Sequence, residues 1–420
     1  MRASFRTALE PFGFAPKLLD VAEAARESVS QAWLERDRCA MVIGAKVLKC
    51  FAESGLHEGH LAGSTGYGYH DAGRDAYEAL LAKTLDAQAA IARVQLASGT
   101  HAIVATARAL LGAHGRLCSV TGQPYDTLRL ALTEPLASEE LGGRSRYIEV
   151  PLAADGAFDR YGIAGALKQS PELIFIQRSR GYAPRPALSV TEIASITQLV
   201  REHSPTSIVL VDNCYGEFVE PREPCAVDVD VVVGSLIKNP GGGLAPAGAY
   251  VAGRTEIIEH VAEKIFALGL GRKVGPSLDV SRWLFAGLHR APKVVAESLK
   301  IMDFAAALFL ALGYPVDPKP GGPRFDIIQA IGLGDPKLLV KFTEGLQRML
   351  PINSRARPEP GPVPGYADPV IMAMGSFIGG STMELSCDAP MRPPYEAYLQ
   401  GGMDVTHGVI GVLGAAAALV

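Results

Sequence analysis

No C-x-x-C pair links any of the six cysteines, Cys39, Cys50, Cys118, Cys214, Cys225 and Cys387. Neither a zinc knuckle nor a dithiol redox motif is therefore present. Scattered single thiols in a chain of 420 residues fit a reducing cytoplasm, where most are small buried hydrophobes. Charge of one sign is also missing. A net charge of -4 gives no electrostatic case for nucleic acid or an anionic membrane. No apolar run reaches bilayer length: the terminal GVIGVLGAAAALV is too short to span and is expected as a packed helix. The opening MRASFRTALEPFGFAP has no continuous apolar core of a secretion signal, so a cytoplasmic location is expected. LHEGH carries His57 and His60 without the H-E-x-x-H spacing of a zinc helix, and no metal site is expected. No repeat at solenoid periods and no low-complexity tract interrupts the chain.

What is present describes an ordinary globular protein, 48% hydrophobic and 20% charged, with 45 glycines for tight turns. Residues 17–53 repeat apolar positions at helical spacing, and a polar, glycine-rich loop follows. From about 90 to 285, short apolar runs (RVQLAS, RLCSVT, RYIEVPL, ELIFIQRS, SIVLVDN, VDVVVGSL, AGAYVAGR) alternate with helical patterns such as 101–112 and 190–203. That alternation predicts an α/β fold with a mostly parallel sheet covered on both faces. Pro- and Gly-rich stretches after 285 are loops of a smaller C-terminal α/β domain. The expected organisation is an N-terminal helix and loop segment at 1–75, a large domain at 76–285 and a small one at 286–420.

Ligands of such sheets bind at the carboxyl ends of the strands, where four features fall. Ser98, Gly99 and Thr100 start a helix, either as a phosphate site or as a plain cap. His101 in its first turn either contacts a ligand or is an ordinary helix-start residue. Asp212 ends the run SIVLVD. Ser235 and Lys238 lie in VVVGSLIKNPGGG. A P-loop places its glycines before the lysine, whereas here they follow it, which excludes a nucleotide P-loop. A lysine at a buried strand end suits an imine-forming amine. With Asp212 on the preceding run, this is the layout pyridoxal phosphate requires: Lys238 for the Schiff base, Asp212 for the pyridine nitrogen, and the Ser-Gly-Thr start with Ser235 for the phosphate. Tyr125 in VTGQPYDTL either stacks on the ring or is a packing tyrosine.

The order SGT, PYDT, VDN, SLIK resembles fold-type I pyridoxal phosphate enzymes, specifically the cystathionine/methionine gamma-lyase group. STGYGYHDAGRDAYE, SGTHAI, VTGQPYDTL, IQRSRGY, VDNCYGEFVE, SLIKNPGGG and RPPYEAYLQGG are similar to the methionine gamma-lyase-like family often labelled aluminium-resistance proteins. The resemblance spans nearly the whole chain. It implies a pyridoxal 5'-phosphate-dependent carbon-sulfur lyase on amino acids, acting by γ-elimination, with Lys238 as base and Tyr125 as proton donor. It also implies a homo-oligomer, a dimer or dimer of dimers, in which Tyr67, Tyr69 and Arg74 reach the neighbouring subunit's cofactor phosphate. Arg392, and after it Arg178 or Arg180, are the expected partners of the substrate carboxylate. The chain departs from the gamma-lyase group at Ile237, where a threonine usually precedes the lysine. Two rival readings are a β-lyase or transferase on related substrates, and a non-catalytic cofactor- or metal-handling resistance protein.

Overall fold

The computed structural model describes residues 5–138, 140–141 and 144–420. The chain forms two compact units: Val42–Ala291, and the segment up to Met41 together with Pro292–Val420. The stretch expected to stand as one N-terminal piece up to residue 75 is thus divided. Leu18, Leu19, Ala22 and Val29 are buried in the same core as Phe304, Phe309 and Phe342. An amphipathic helix shows in sequence that it has a buried face, not which core buries it.

The unit 42–291 is built on seven strands: β1 (Ala89–Arg93), β2 (Leu117–Ser119), β3 (Tyr147–Glu149), β4 (Leu173–Gln177), β5 (Ile208–Asp212), β6 (Val231–Ser235) and β7 (Ala249–Gly253). Their order is β3–β2–β4–β5–β6–β7–β1. Strand β7 runs antiparallel to both neighbours, and the remaining pairs are parallel. The central strands are buried along almost their full length, which is why LIFIQ, IVLVD and VVVGS read as continuous apolar runs. Register sets Gln177 opposite Asp212 and Asp212 opposite Val233, so the ends of β4, β5 and β6 lie side by side. The first run was misplaced by the sequence. RVQLAS is largely a turn, and the strand is the preceding AAIAR, whose alanines carry no β signal.

Helices fall where their caps dictate. Helix α1 (Ala72–Thr84) is capped by Asp71, and α2 (Gly99–Leu110) by Ser98. Helix α3 (Val190–His203) has a reciprocal Ser189–Glu192 capping box.

The other unit holds β8 (Val316–Asp317), β9 (Ile328–Gly332), β10 (Val370–Met374), β11 (Ser386–Pro390) and β12 (Glu396–Gln400), antiparallel in the order β8–β9–β12–β11–β10. Helices α4 (Pro336–Gln347) and α5 (Val405–Ala417) pack on it, and the apolar tail is a buried helix as expected. Among the described residues, no helix is long and apolar enough to cross a membrane.

Candidate active site

The start of α2 is aimed by its cap. Ser98 takes extended backbone (φ -162, ψ 165) and its hydroxyl accepts from His101 N at 3.0 Å. His101 Nδ1 accepts from Ala97 N at 3.1 Å, so its ring closes the turn leading into the helix. A Cβ built on Gly99 would stand 3.3 Å from Cys214 Sγ and 3.4 Å from Ser235 Cβ. The helix N-terminus therefore meets the ends of β5 and β6, with Ser235 beside the Ser98-capped first turn. That combination attracts a phosphate.

Asp212 closes β5 and is 4% exposed. Its Oδ1 accepts from Cys214 N at 3.1 Å. Burial pushes its carboxyl up to about 6, against the lowering pull of the Cys214 amide and thiol and of the Arg185 cation. Arg185 is held by the carbonyls of Thr121, Gln177 and Ser179 at 2.5, 3.2 and 2.8 Å. Since burial outweighs the Arg185 cation, the carboxylate is under-compensated in the bare chain, and a protonated ring nitrogen would supply what it lacks.

Three residues after Ser235, Lys238 begins the tight turn Asn239–Gly241. Its Nζ stands 4.9 Å from the centre of the Tyr215 ring. Tyr215 holds this place in a left-handed conformation (φ 69) uncommon for an aromatic residue, and its hydroxyl meets that of Tyr182 at 3.2 Å. The glycines after Lys238 serve packing. A Cβ on Gly242 would collide with the carbonyl oxygen of Gly287, so the loop lies directly on the backbone there.

Tyr125 joins the group through Thr100: the two hydroxyls are 2.9 Å apart, and Gln177 Oε1 accepts from Tyr125 N at 3.1 Å. Burial, then the nearby Asp212 and Cys214, raise its phenol well above the usual tyrosine range, with the Thr100 bond opposing. The phenol is therefore neutral across the physiological range.

Ser98, Gly99, Thr100, Tyr125, Asp212 and Ser235 are thus linked by contacts at one edge of the sheet, with Lys238 entering from the turn after β6. The arginines divide. Arg178 is fully buried, bonded to Asn213 Oδ1 at 2.7 Å, Glu220 Oε2 at 2.8 Å and Glu223 Oε2 at 3.4 Å. Its fork is committed to the fold, which leaves no face for a substrate carboxylate. Arg180 is buried beside it in sequence. Arg392 lies in the other unit, 3.8 Å from Asp368. Arg74 is 4% exposed and donates to the carbonyls of Gly68 and Gly275 at 2.6 and 2.9 Å, stapling the loop that carries Tyr67 and Tyr69. Those two rings are 77% and 50% exposed, presented outward rather than into their own chain. Sequence reasoning missed Tyr215, Cys214, Gln177 and Arg185. For Cys214 and Tyr215 the signal was the length of VDNCYGEFVE, and for Gln177 it was IQRSRGY, of which only the arginines were read.

The residues fit pyridoxal phosphate: an amine, a buried carboxylate short of a cation, and a hydroxyl-flanked helix start of matching polarity. Among the described residues, no group of three His, Cys, Asp or Glu side chains could hold a metal. A carbon-sulfur lyase involved in aluminum resistance from Clostridium novyi NT is 36% identical, with a TM-score of 0.92 and all of each chain covered. YnbB of Bacillus subtilis (strain 168), itself uncharacterised, is 41% identical over 366 residues, 86% of this chain and 87% of that one. Cystathionine gamma synthase from Xanthomonas oryzae pv. oryzae, at 19% identity and a TM-score of 0.54 over 82% of this chain and 86% of its own, shares the fold alone. That fold is the fold-type I architecture. Since the methionine gamma-lyase family matches residues 18–420, this chain belongs to that family.

Proposed function

We propose that the protein is a pyridoxal phosphate-dependent carbon-sulfur lyase acting on a sulfur-containing amino acid by γ-elimination. The observation that supports this reading is the meeting of α2, β5 and β6, which brings the Ser98-capped helix start, buried Asp212 and the turn of Lys238 together at the carboxyl ends of the strands. Bound there, the cofactor supplies an electron sink for charge developing at the substrate's α-carbon.

The chain's residues do the rest. The amides of Gly99 and Thr100 and the hydroxyls of Ser98, Thr100 and Ser235 hold the phosphate. Asp212 would pair with the cofactor's ring nitrogen and keep it protonated. Lys238 Nζ is the attachment point and the base for the α-proton. Tyr125 OH, neutral and bonded to Thr100, delivers a proton to the departing sulfur. Ile237 supplies no hydroxyl, so the phosphate relies on β6 and α2. Arg392 or Arg180 takes the substrate carboxylate. Tyr67 and Tyr69, with the loop Arg74 holds, serve the neighbouring subunit of a dimer or dimer of dimers. A cytoplasmic location fits the scattered single thiols.

Borohydride reduction of the cofactor-loaded protein followed by peptide mapping tests the assignment. The label is expected on Lys238, and a label on another lysine overturns it. Product analysis then separates chemistries: 2-oxobutyrate with a thiol means γ-elimination, pyruvate means β-elimination.

A further inference from the structure

Helices α2 and α3 both begin at a serine cap, and they differ in the residue three places on. In α3 the Ser189 hydroxyl accepts from Glu192 N at 3.1 Å, and the Glu192 carboxylate accepts from Ser189 N at 2.8 Å. That is the reciprocal capping box. In α2 the Ser98 hydroxyl accepts from His101 N at 3.0 Å, so His101 stands where the box would place a glutamate. Its Nδ1 accepts from Ala97 N at 3.1 Å, one residue ahead of the cap.

The exchange changes what an anion meets at this helix start. A glutamate in the box takes the amide of the cap residue itself, as Glu192 takes Ser189 N. The His101 ring takes the amide before it and leaves Ser98 N outside the bond. Helix geometry already leaves the amides of Gly99 and Thr100 without a partner inside the helix. Toward His101 the Ser98 oxygen is the acceptor, so its hydroxyl proton remains to be donated.

Charge changes as well. A carboxylate in the first turn suits the helix, because it meets the positive end of the dipole. A phosphate at the same end would be repelled by it. An imidazole whose Nδ1 accepts from an amide is unprotonated at that nitrogen and supplies the bond without a negative charge. On its other side the turn is fixed by packing: a Cβ on Gly99 would stand 3.3 Å from Cys214 Sγ and 3.4 Å from Ser235 Cβ.

We propose that His101 is a positioning residue for the cofactor phosphate, tying back the turn into α2 with a neutral acceptor so that the first amides stay open to an anion. The inference rests on the phosphate site proposed above.

Wild type, His101→Asn, His101→Ala and His101→Glu would be prepared free of cofactor. Their affinities for pyridoxal phosphate, and for pyridoxal, which lacks the phosphate, would be measured beside their thermal melts. The ratio of the two affinities isolates the phosphate. His101→Asn sets an oxygen on the same carbon that carries Nδ1 and should keep the wild-type ratio. His101→Ala releases Ala97 N and should lower the ratio by roughly 2- to 10-fold. His101→Glu closes an ordinary capping box, so its melt should equal or exceed that of wild type while the ratio falls by roughly tenfold. A wild-type ratio in His101→Glu, or ratios that merely follow the melts, overturns the inference. A loss in His101→Asn as large as in His101→Ala also overturns it, since the ring would then be touching the phosphate itself. Absence of borohydride label on Lys238 in wild type overturns the proposed function. A label there with an unchanged ratio in His101→Glu removes only the role of His101.

Discussion

Lys238 Nζ lies 4.9 Å from the centre of the Tyr215 ring, and the chain accepts a left-handed tyrosine to put that ring there. Such a backbone costs ~1–3 kcal/mol, which the surrounding packing has to offset. A cation over an aromatic face recovers ~0.5–2 kcal/mol, more as water is excluded. Tyr215→Phe keeps the ring and loses only the bond to Tyr182. It is expected to bind cofactor like the wild type. Tyr215→Leu loses the face that stabilises the free ammonium, so borohydride trapping at Lys238 at limiting cofactor should rise by roughly 2- to 30-fold, the same energy expressed as a ratio. Equal trapping in the two variants would show that the ring is only packing.

Asp212 makes opposite demands on the bare and the loaded protein. Its folded carboxyl, at about 6, lies above its ordinary value of 3.8. The stability it lends is therefore full below 3.8 and lost as pH rises through about 6. In the cofactor-free chain Asp212→Asn should raise stability above that pH, by on the order of 3 kcal/mol. In the loaded protein the same change removes the ring nitrogen's charged partner and should weaken cofactor retention by about two to three powers of ten. Thermal melts against pH, with and without cofactor, test both signs. A cofactor-free Asp212→Asn protein less stable than wild type at neutral pH would contradict the burial account.

Much of this arrangement could be read directly from the chain. IVLVD, VVVGS and LIFIQ announce buried parallel strands because both faces of each are covered, and a ligand site at their ends follows from topology. That Asp212 and Lys238 follow the ends of neighbouring strands was legible for the same reason. Tyr215 was not, since nothing in NCYGEF says that the tyrosine rather than the glycine beside it takes positive φ. Arg178 misled for a different cause. An arginine at a strand end looks the same whether its fork meets a substrate or three side chains of its own fold, and only the positions of Glu220, Glu223 and Asn213 separate the two. The first strand was missed because AAIAR takes its stability from its place between β7 and the helices, not from its own residues.

The commitment of Arg178 makes a clear prediction. Arg178→Ala leaves Glu220 and Glu223 without their cation in a buried setting, which should destabilise the fold by about 3–5 kcal/mol. Arg178→Lys cannot reach three acceptors in one plane and should restore little of that loss. An arginine that held substrate would instead raise KM while leaving the melt unchanged. Denaturation midpoints measured beside KM distinguish these outcomes, and a selective KM effect would return Arg178 to the substrate site.

Tyr67 and Tyr69 point outward from a loop that Arg74 and Asp71 hold rigid, with Asp71 accepting from Ser277 N at 2.9 Å. A ring pre-positioned this way can complete a site in a second copy without further ordering. If it does, Lys238→Ala and Tyr67→Ala each disable the protein alone, yet a mixed dimer contains one site with both residues intact. Random exchange of subunits makes half the dimers mixed, each with one working site of two, so roughly a quarter of wild-type activity should return on mixing. No recovery after verified subunit exchange would place Tyr67 in its own chain's site or outside the chemistry altogether. Arg74→Ala loosens the tyrosines only in the chain that carries it, so it should complement Lys238→Ala to the same extent as Tyr67→Ala does. Recovery with Tyr67→Ala but not with Arg74→Ala would show that Arg74 is needed in its own chain's site.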